Sequence, residues 1–478
     1  PIDVTYVYTV SANGCTNAST YSVVVTVNPT PALTSTLTPS AICSGTSFGY
    51  TPTSSTSGST YAWTRAAITS INGNTSGSGS GTVSEQLTNS STSPVNVTYV
   101  YTVSANGCTN ASTYSVVVTV NPTPVLTSTV SPASICSGST FGYTPTSSTS
   151  GATYAWTRAA VAGISNTAAS GSGNPSEVLT NTTADPVDVT YVYTVSANGC
   201  TNGTNYNVVV SVKPTPQLTS TLTPSAICSG STFSYTPTSS TSGATYAWTR
   251  AAVAGISNTA GSGSGNPSEI LTNTTPAPIS VTYVYTVSAN GCTNASTYNV
   301  VVTVNPGPQL TSTLTPGAIC NNTTFNYTPT SGTSGAVFNW TRASVAGISN
   351  AAASGTGDPS ETLVNTTTAP INVTYVYTVS ANGCSSSTYN VVVTVNPTPQ
   401  LTSTLTPASI CSGTTFSYTP TSSTSGASYA WSRAAVAGIS NTAATGTGNP
   451  SETLTNTTTA PIDVTYVYTV SANGCTNA

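Results

Sequence analysis

The chain has 478 residues, of which only 3% are charged, with 6 Lys and Arg against 10 Asp and Glu and with no His and no Met. Six cations over this length cannot form the basic patch that a nucleic acid or an anionic membrane surface needs, so we exclude both partners. Disordered chains are poor in aromatic and β-branched residues, whereas this chain has 26 Tyr, 5 Trp and abundant Val. The composition therefore predicts folded β domains.

One passage, Val-Thr-Tyr-Val-Tyr-Thr-Val-Ser-Ala-Asn-Gly-Cys, occurs six times with a period of 91 to 93 residues, the size of a self-sufficient domain. Such repetition is typical of proteins selected for length or multivalency, because one catalytic site would need only one copy. We expect a window from a longer array. Its predicted segments are the C-terminal part of a preceding repeat (1–29), four full repeats (30–122, 123–214, 215–306 and 307–397) and a repeat lacking its last strand (398–478).

Within the repeat 215–306, alternating apolar and hydroxyl residues between turn residues predict six strands. In chain order they are A (217–223), B (232–236), C (245–250), E (269–273), F (281–288) and G (298–304). The Gly- and Ser-rich connection 251–267 has room for one short edge strand, and no helix longer than a turn is expected. Short strands with a Trp on the third are typical of an immunoglobulin-like sandwich. The predicted fold class is all-β, a tandem array of such sandwiches forming an elongated rod.

The two-residue period of strands indicates which side chains face inward. Tyr246, Trp248 and Arg250 share one face of strand C, and Tyr283 and Tyr285 share the corresponding face of strand F. We expect Trp248 at the centre of the core. Its counterparts in the other repeats are Trp63, Trp156, Trp340 and Trp431.

Five linked motifs of each repeat resemble a known family. They are Ala-Ile-Cys-Ser-Gly, Tyr-x-Trp-Thr-Arg, Leu-Thr-Asn-Thr-Thr, the Tyr-Val-Tyr passage ending in Asn-Gly-Cys, and Val-Val-Val-x-Val-Asn-Pro-x-Pro. Together they resemble the PKD-like repeats of giant Bacteroidetes cell-surface proteins, such as gliding-motility adhesins of the SprB type exported by the type IX secretion system. The resemblance implies an immunoglobulin-like domain on an extracellular surface protein. In this chain Thr-Arg-Ala follows the Trp, where the PKD parent family has an Asp-rich turn. This difference argues against calcium binding at that turn.

Eleven Cys alternate between the segment before strand B and the turn after strand F, a regularity that favours disulfides over free thiols or metal ligation. Two pairings are open. Pairing within repeats joins Cys43 to Cys108, Cys136 to Cys200, Cys228 to Cys292, Cys320 to Cys384 and Cys411 to Cys475, and leaves Cys15 for an upstream partner.

The geometry of the sandwich argues against this pairing. The A–B and F–G turns of one sandwich lie at opposite ends, ~25 Å apart, whereas a disulfide needs Cα atoms within ~7 Å. Head-to-tail stacking brings the A–B turn of one repeat to the F–G turn of the next. That alternative joins Cys43 to Cys200, Cys136 to Cys292, Cys228 to Cys384 and Cys320 to Cys475.

One Arg and one Glu recur in each repeat and form the second set of candidate residues. We predict internal ion pairs from the end of strand C to the start of strand E, because the Arg lies on the face of the Trp. The alternative is a repeated ligand anchor. The pairs are Arg65 with Glu85, Arg158 with Glu177, Arg250 with Glu269, Arg342 with Glu361, and Arg433 with Glu452.

Catalysis and cofactors are not expected from this composition. Without His there is no Ser-His or Cys-His pair, and one Glu per repeat provides no carboxylate pair for glycoside hydrolysis. A calcium site needs several oxygen ligands including carboxylates, yet Asp3, Asp188 and Asp463 are replaced by Asn96, Ser280 and Asn372 in other repeats. We therefore predict a non-enzyme with no metal and no cofactor.

These features favour the shaft of a long extracellular surface adhesin, including those of gliding motility. Each repeat should add roughly 35–40 Å, from strands of about eight residues and their end loops. The alternative is a self-assembling surface filament or sheath, and a multivalent glycan-binding array is a third hypothesis. The expected partners are neighbouring repeats, other copies of the chain or surface polysaccharide. No membrane insertion is expected, since no apolar run approaches the ~20 residues of a span, and any export signal is expected outside these residues.

Overall fold

The computed structural model describes residues 1–72 and 75–477, in which every regular element is a β-strand. Contacts divide the chain into two compact units. The first comprises Pro1–Gln217 with Ser239–Ala244 and Val287–Asn294, and the second comprises Leu218–Thr238, Thr245–Thr286 and the chain from Ala295 onward. The first and second repeats therefore lie in one unit, the fourth and fifth in the other, and the third is divided.

The strands of the N-terminal segment and of the first two repeats are as follows. Residues 1–29 form a hairpin of β1 (Ile2–Ala12) and β2 (Cys15–Val27). The first repeat has β3 (Ile42–Cys43), β4 (Thr46–Tyr50), β5 (Thr60–Arg65), β6 (Gly77–Ser80), β7 (Val83–Leu87), β8 (Val95–Ala105), β9 (Cys108–Thr109) and β10 (Tyr114–Asn121). The second has β11 (Ile135–Cys136), β12 (Ser139–Gly142), β13 (Thr153–Arg158), β14 (Ala169–Ser172), β15 (Ser176–Leu179), β16 (Val187–Ala197), β17 (Cys200–Thr201) and β18 (Tyr206–Lys213).

The remaining repeats follow the same order. The third has β19 (Ile227–Cys228), β20 (Ser231–Ser234), β21 (Thr245–Arg250), β22 (Gly261–Ser264), β23 (Ser268–Leu271), β24 (Ile279–Ala289), β25 (Cys292–Thr293) and β26 (Tyr298–Asn305). The fourth has β27 (Ile319–Cys320), β28 (Thr323–Asn326), β29 (Val337–Arg342), β30 (Ala353–Thr356), β31 (Ser360–Leu363), β32 (Ile371–Ala381) and β33 (Cys384–Asn396). The fifth has β34 (Thr415–Ser417), β35 (Ser428–Arg433), β36 (Ala444–Thr447), β37 (Ser451–Thr453), β38 (Tyr466–Ala472) and β39 (Cys475–Thr476).

Each full repeat is a sandwich of one large and one small sheet. In the second repeat the large sheet has the order β11-β18-β16-β13-β14, and strands β12 and β15 form the opposing pair. All pairings are antiparallel except that of β11 with β18, which is parallel. The fourth repeat has the equivalent order β27-β33-β32-β29-β30, with β28 and β31 opposite. The immunoglobulin-like, all-β fold class predicted from the sequence is thus confirmed.

The long F and G strands form because β-branched and aromatic residues alternate with hydroxyl residues along them. In β16, the side chains of Val189, Tyr191, Tyr193 and Val195 are fully buried, whereas the intervening residues are partly exposed. Burying one such side chain contributes roughly 1.5–3 kcal/mol. Strand β18 continues the same face, so the two strands provide much of the core of the sandwich.

One strand prediction differs from the structure, whereas the short edge strand expected in the connection 251–267 is present. Residues 217–223 do not form a regular strand A, because their hydrogen bonds are divided between two neighbours: Thr219 N–H donates to the carbonyl of Thr238, and Leu222 accepts from Val301 N–H. The regular strand at this edge is instead β19, which is parallel to β26. The Gly- and Ser-rich connection contains the edge strand β22, which pairs with β21.

The outermost segments have fewer strands. The large sheet of the fifth repeat has the order β36-β35-β38-β39, and the part of this repeat that the structure describes contains no strand equivalent to β18. The N-terminal hairpin pairs β1 with β2 from Ile2 opposite Val27 to Ala12 opposite Cys15. No helix within the described ranges has the length and apolarity that a membrane crossing requires.

Candidate functional site: the junction between repeats

The junction of neighbouring repeats begins at the end of each G strand. In the first repeat, β10 ends at Asn121, and the parallel strand β3 places Cys43 directly beside it. Both residues therefore lie at the end of the sandwich from which the chain continues into the second repeat. In that second repeat the F–G turn lies at the facing end, where Cys200 begins the short return strand β17.

A disulfide joins these two ends. Cys43 is bonded to Cys200 with Cα atoms 5.6 Å apart, inside the range that disulfides adopt. The same bond joins Cys136 to Cys292, also within the first compact unit. In the second unit Cys228 is bonded to Cys384 and Cys320 to Cys475. Each bond links the A–B segment of one repeat to the F–G turn of the next, across 155 to 157 residues.

The pairing within repeats is not the one that the structure contains. Cys108 and Cys411, both disulfide candidates from the sequence, are free, as is Cys15. The physical reason is the parallel pairing of β3 with β10, which fixes Cys43 at one end of its repeat, while Cys108 lies in the turn at the other end. The four bonds each join an A–B Cys to an F–G Cys 155 to 157 residues later. Residues 1–478 contain no Cys at that separation and in that order from Cys15, Cys108 or Cys411.

The Asn-Gly turn places the second cysteine of each bond. Asn198 and Gly199 both have positive φ, 51° and 79°, the conformation of a tight two-residue hairpin. Asn and Gly tolerate positive φ better than other residues, so this dipeptide closes the turn and returns the chain at Cys200. Cys200 is 3% exposed, so its side of the disulfide is sealed from solvent.

Amide hydrogen bonds dock the linker onto the same turn. Asn121 Nδ2 donates to the carbonyl of Asn198 at 2.9 Å, and Asn202 Nδ2 donates to the carbonyl of Pro124 at 2.9 Å. Pro122 and Pro124 are themselves buried, while Thr123 between them is exposed. The equivalent bond in the last junction runs from Asn396 Nδ2 to the carbonyl of Asn473. The linker is therefore held at several points, and the sequence reasoning had not identified these Asn residues.

Lys213 replaces the junction Asn in one repeat. Its Nζ donates to the carbonyl of Asn290 at 2.8 Å, within the first unit. The ammonium group thus reproduces the contact that Asn121 Nδ2 makes to Asn198. An exchange of residue type that preserves the hydrogen bond indicates that the turn carbonyl is the required partner.

The Arg and Glu of each repeat meet inside the sandwich. Arg158 Nε and Nη2 each lie 2.9 Å from an oxygen of Glu177, and Tyr191 Oη donates to the same carboxylate at 2.6 Å. Nη2 also donates to the carbonyl of Thr167 at 2.6 Å. The Arg side chain is 1% exposed, whereas the Glu side chain is 19% exposed. The corresponding pairs are Arg65 with Glu85, Arg250 with Glu269, Arg342 with Glu361, and Arg433 with Glu452.

This geometry shifts the ionisation of the buried groups. The hydrogen bonds from Arg158, and secondarily from Tyr191, hold the pKa of Glu177 below its usual value against the opposing effect of burial. Burial and the hydrogen bond to Glu177 raise the pKa of Tyr191, so its hydroxyl remains a donor. The pKa of Glu269, Glu361 and Glu452 is lowered by the same causes. Because the guanidinium is buried and its hydrogen bonds go to Glu177 and to carbonyls of the same repeat, Arg158 is not presented to an external ligand.

No group of three or more His, Cys, Asp or Glu side chains is arranged to hold a metal ion within residues 1–72 and 75–477.

Comparison with known proteins identifies the repeats. The PKD-like domain family matches residues 40–124, 133–216, 225–308, 317–399 and 408–478, most of the chain. The chain belongs to the PKD-like domain family. No curated protein matches it.

Similar solved structures are tandem arrays of immunoglobulin or cadherin domains. They include the Drosophila N-cadherin EC1-4 structure (10% identity, 75% of this chain and 99% of that one, TM-score 0.23) and titin domains I67-I69 (11%, 57% and 98%, TM-score 0.31). Sidekick-1 immunoglobulin domains 1-5 are also similar (11%, 94% and 97%, TM-score 0.24).

In these PKD-like domains the Trp belongs to the buried core in four of the five repeats. Trp156 is 7% exposed, whereas its edge-on neighbour Tyr191 is fully buried, with ring centroids 5.4 Å apart. Trp63 is only partly buried, and Trp248, Trp340 and Trp431 are 7–8% exposed. The expected core position is therefore observed for Trp156, Trp248, Trp340 and Trp431, and beside the first three the least exposed aromatic side chains are the F-strand tyrosines.

A glycine of that edge strand makes room for each indole. A Cβ on Gly171 would lie 2.7 Å from Cζ2 of Trp156, closer than side chains approach in proteins. The same close approach occurs at Gly79, Gly263, Gly355 and Gly446. Nε1 of each Trp is buried without a hydrogen-bond acceptor, so packing rather than polarity holds the ring.

An Asn in the Leu-Thr-Asn motif organises the E–F loop and was not identified from the sequence as a functional position. Asn181 Nδ2 donates to the carbonyls of Asp185 and Val212, and its Oδ1 accepts from Thr183 N–H. Its own N–H donates to Ser137 Oγ, next to Cys136. The Asn-Thr-Thr spacing is a recognisable signal for such a side-chain turn.

Proposed function

We propose that the chain is part of the shaft of a long extracellular surface adhesin, in which consecutive PKD-like domains serve as spacers. The junction carries the proposal: each of the four junctions from the first to the fifth repeat combines a disulfide with a docked linker. A binding or catalytic module has no need for such junctions, whereas a spacer needs neighbours that do not hinge. The disulfides also support an extracellular location, since they persist in oxidising compartments.

The distribution of charge supports the same role. All five Arg side chains are 1% exposed and paired internally, and the remaining cation, Lys213, contacts a turn carbonyl. The outer surface is therefore rich in hydroxyl and amide groups and poor in charge. Such a surface resists salt-dependent adsorption, which suits a spacer between a cell and a distant target.

Small-angle X-ray scattering of the purified, unreduced chain tests the proposal. An end-to-end array of five repeats of roughly 35–40 Å each should have a radius of gyration of about 50 Å or more. A compact globule of this length should have about 23 Å. A value near that of the globule would reject the shaft, and a value that rises steadily with protein concentration would favour the self-assembling filament or sheath.

In its most specific form the proposal is a SprB-type gliding adhesin exported by type IX secretion, supported by the five motifs of each repeat. Antibody raised against residues 123–214 should label intact cells of the source organism, and deletion of the gene should impair attachment and gliding. Labelling only after the cells are broken would reject the surface location. Loss of attachment without loss of gliding would restrict the role to adhesion.

A further inference from the structure

The four disulfides overlap along the sequence. The bond Cys43–Cys200 begins before the second repeat and ends beyond Cys136, where the next bond has already begun. Cys228–Cys384 and Cys320–Cys475 overlap in the same way. Every peptide bond between Cys43 and Cys475 therefore lies inside at least one disulfide-closed loop. Pairing within repeats would leave each linker outside every loop.

The number of loops differs between linkers and domain bodies. The linker residues 122–124 lie only inside the Cys43–Cys200 loop, whereas residues 137–199 lie inside two loops, closed by Cys43–Cys200 and Cys136–Cys292. The connection 159–168, which contains no strand and leaves several of its residues exposed, is in the doubly covered part. Thus the two fragments of a chain cut in this connection would be held together by two disulfides.

We propose that these overlapping disulfides form a covalent bypass that keeps the array in one piece when a repeat is cut or unfolded. Hydrolysis of one peptide bond between Cys43 and Cys475 leaves a new carboxylate and a new amine, but both fragments remain joined through a disulfide. The inference concerns resistance to cleavage and tension, and it stands on the connectivity alone, independently of what the proposed adhesin binds.

The bypass also limits extension under force. From Cys43 to Cys411 the main chain has 368 residue steps, but the route through two disulfides uses only 28 steps from Cys200 to Cys228 and 27 from Cys384 to Cys411. Fully extended, these routes span about 1,250 Å and about 190 Å. The two short segments consist largely of G strands and Pro-containing linkers, which are extended in the folded state and store little length. Tension thus reaches these segments before the B-to-F part of a repeat is drawn out.

A site-specific cut tests the bypass. A protease recognition sequence is inserted after Thr123 in the linker Asn121–Pro124, and in a matched chain after Thr30 at the equivalent place in Asn28–Pro31. Both threonines are exposed, but only Thr123 lies inside a disulfide loop. Free thiols are blocked with iodoacetamide before denaturation, so that Cys15, Cys108 and Cys411 cannot exchange.

On a denaturing gel without reductant, the chain cut after Thr123 should run as one species of full mass and separate into two fragments on reduction. The chain cut after Thr30 should separate without reductant. Two fragments from the Thr123 cut in the absence of reductant would overturn the proposal.

Two double variants carrying the site after Thr123 identify the bond responsible. Cys43→Ser with Cys200→Ser should release two fragments without reductant, because that loop alone covers the linker. Cys136→Ser with Cys292→Ser should remain in one piece. The reverse result, or retention in both variants, would show that the covering bond is a different one and would reject the connectivity.

Single-molecule pulling on the two ends tests the mechanical part. The unreduced chain should detach from the probe at an extension of at most about 470 Å, because the shortest covalent route between its ends has 137 residue steps and passes through Cys43–Cys200, Cys228–Cys384 and Cys320–Cys475. After reduction it should extend to about 1,600 Å. Extension beyond the shorter limit without reductant would contradict the bypass.

Discussion

Single residues of this chain show how polar groups are used inside a PKD-like domain. Arg158, Glu177 and Tyr191 form a closed set in which the guanidinium is almost fully buried. Because burying charges costs free energy, such a set contributes little to net stability. Removal of one member nevertheless destabilises the fold, because it leaves a buried charge without its partner. The set ties the end of strand C to strand E and to strand F, which belong to opposite sheets. Its role is to fix the position of the large sheet relative to the small sheet.

Removal of the carboxylate should therefore destabilise the packing of the two sheets in the second repeat. We expect Glu177→Ala to cost about 3 kcal/mol, the lower end for a broken buried pair, because the Glu is partly exposed. The matched control is Asp188→Ala, an exposed acidic residue on strand F, with an expected change within about 0.5 kcal/mol. Hydrogen exchange of amides in 187–197 measures both. Equal exchange in the two variants would show that the pair does not hold the sheets.

The close approach of glycine to the indole leads to a second prediction. Gly171→Ala places a methyl group against Trp156 and should cost about 1–3 kcal/mol through overpacking. Gly142→Ala, where no atom lies within 4 Å and φ is not positive, should instead stabilise by about 0.4–1 kcal/mol. Local hydrogen exchange in the second repeat again reports the difference. A neutral Gly171→Ala would mean that the Trp can move away from the edge strand.

At the scale of elements, side-chain hydrogen bonds satisfy backbone groups where no regular strand does so. The E–F loop has no strand of its own, and Asn181 satisfies three backbone groups of the loop and of strand β18. Removing a buried partner leaves those groups unsatisfied, which costs more than the hydrogen bond itself contributes. The loop is therefore built around one amide group.

We expect Asn181→Ala to destabilise the second repeat by about 1–3 kcal/mol, since the buried carbonyl of Val212 and the partly buried carbonyl of Asp185 lose their donor. Asn174→Ala is the matched control, because that exposed amide makes one long hydrogen bond, 3.3 Å to Thr144 Oγ1. Exchange of amides in 206–213 and in the loop should rise only in the first variant. Comparable exchange in both would place the stability of the loop in its backbone.

At the scale of the whole molecule, the ionisable groups are such that a change of pH near neutrality should have little effect on stability. There is no His, and the Glu of four repeats have lowered pKa values because of their Arg and Tyr donors. A carboxylate whose folded-state pKa is lowered contributes stability above its unfolded value, and that stability is lost as pH falls through the folded pKa.

Stability should accordingly be flat from about pH 5.5 to 7 and decline in acid, beginning as pH falls below 4.5, the ordinary Glu value. Thermal unfolding of the unreduced chain, followed by circular dichroism over this range, measures the decline. The chain with Glu177, Glu269, Glu361 and Glu452 each changed to Gln is the control, and its acid decline should be smaller. A decline already present between pH 6 and 7 would contradict the assignment.

The sequence by itself determined the repeat, the fold class and the inward face of each long strand, because all three depend on local periodicity. Tyr191 and Val189 could be assigned to the core from alternation alone, and the Arg and Glu could be paired as the recurrent charges inside each repeat. The Leu222 segment could not be assigned correctly, since its hydrogen bonds go to distant strands rather than along a regular edge.

Only the tertiary structure decided the disulfides and the exact place of the Trp. Cys43 lies 65 residues from Cys108 and 157 from Cys200, and sequence distance does not choose between them. The choice follows from the parallel pairing of β3 with β10, which places Cys43 at the end that faces the next repeat. Likewise, only the structure shows that the ring of Trp156 packs against Gly171 of the edge strand. Both outcomes depend on contacts between elements, which no local pattern contains.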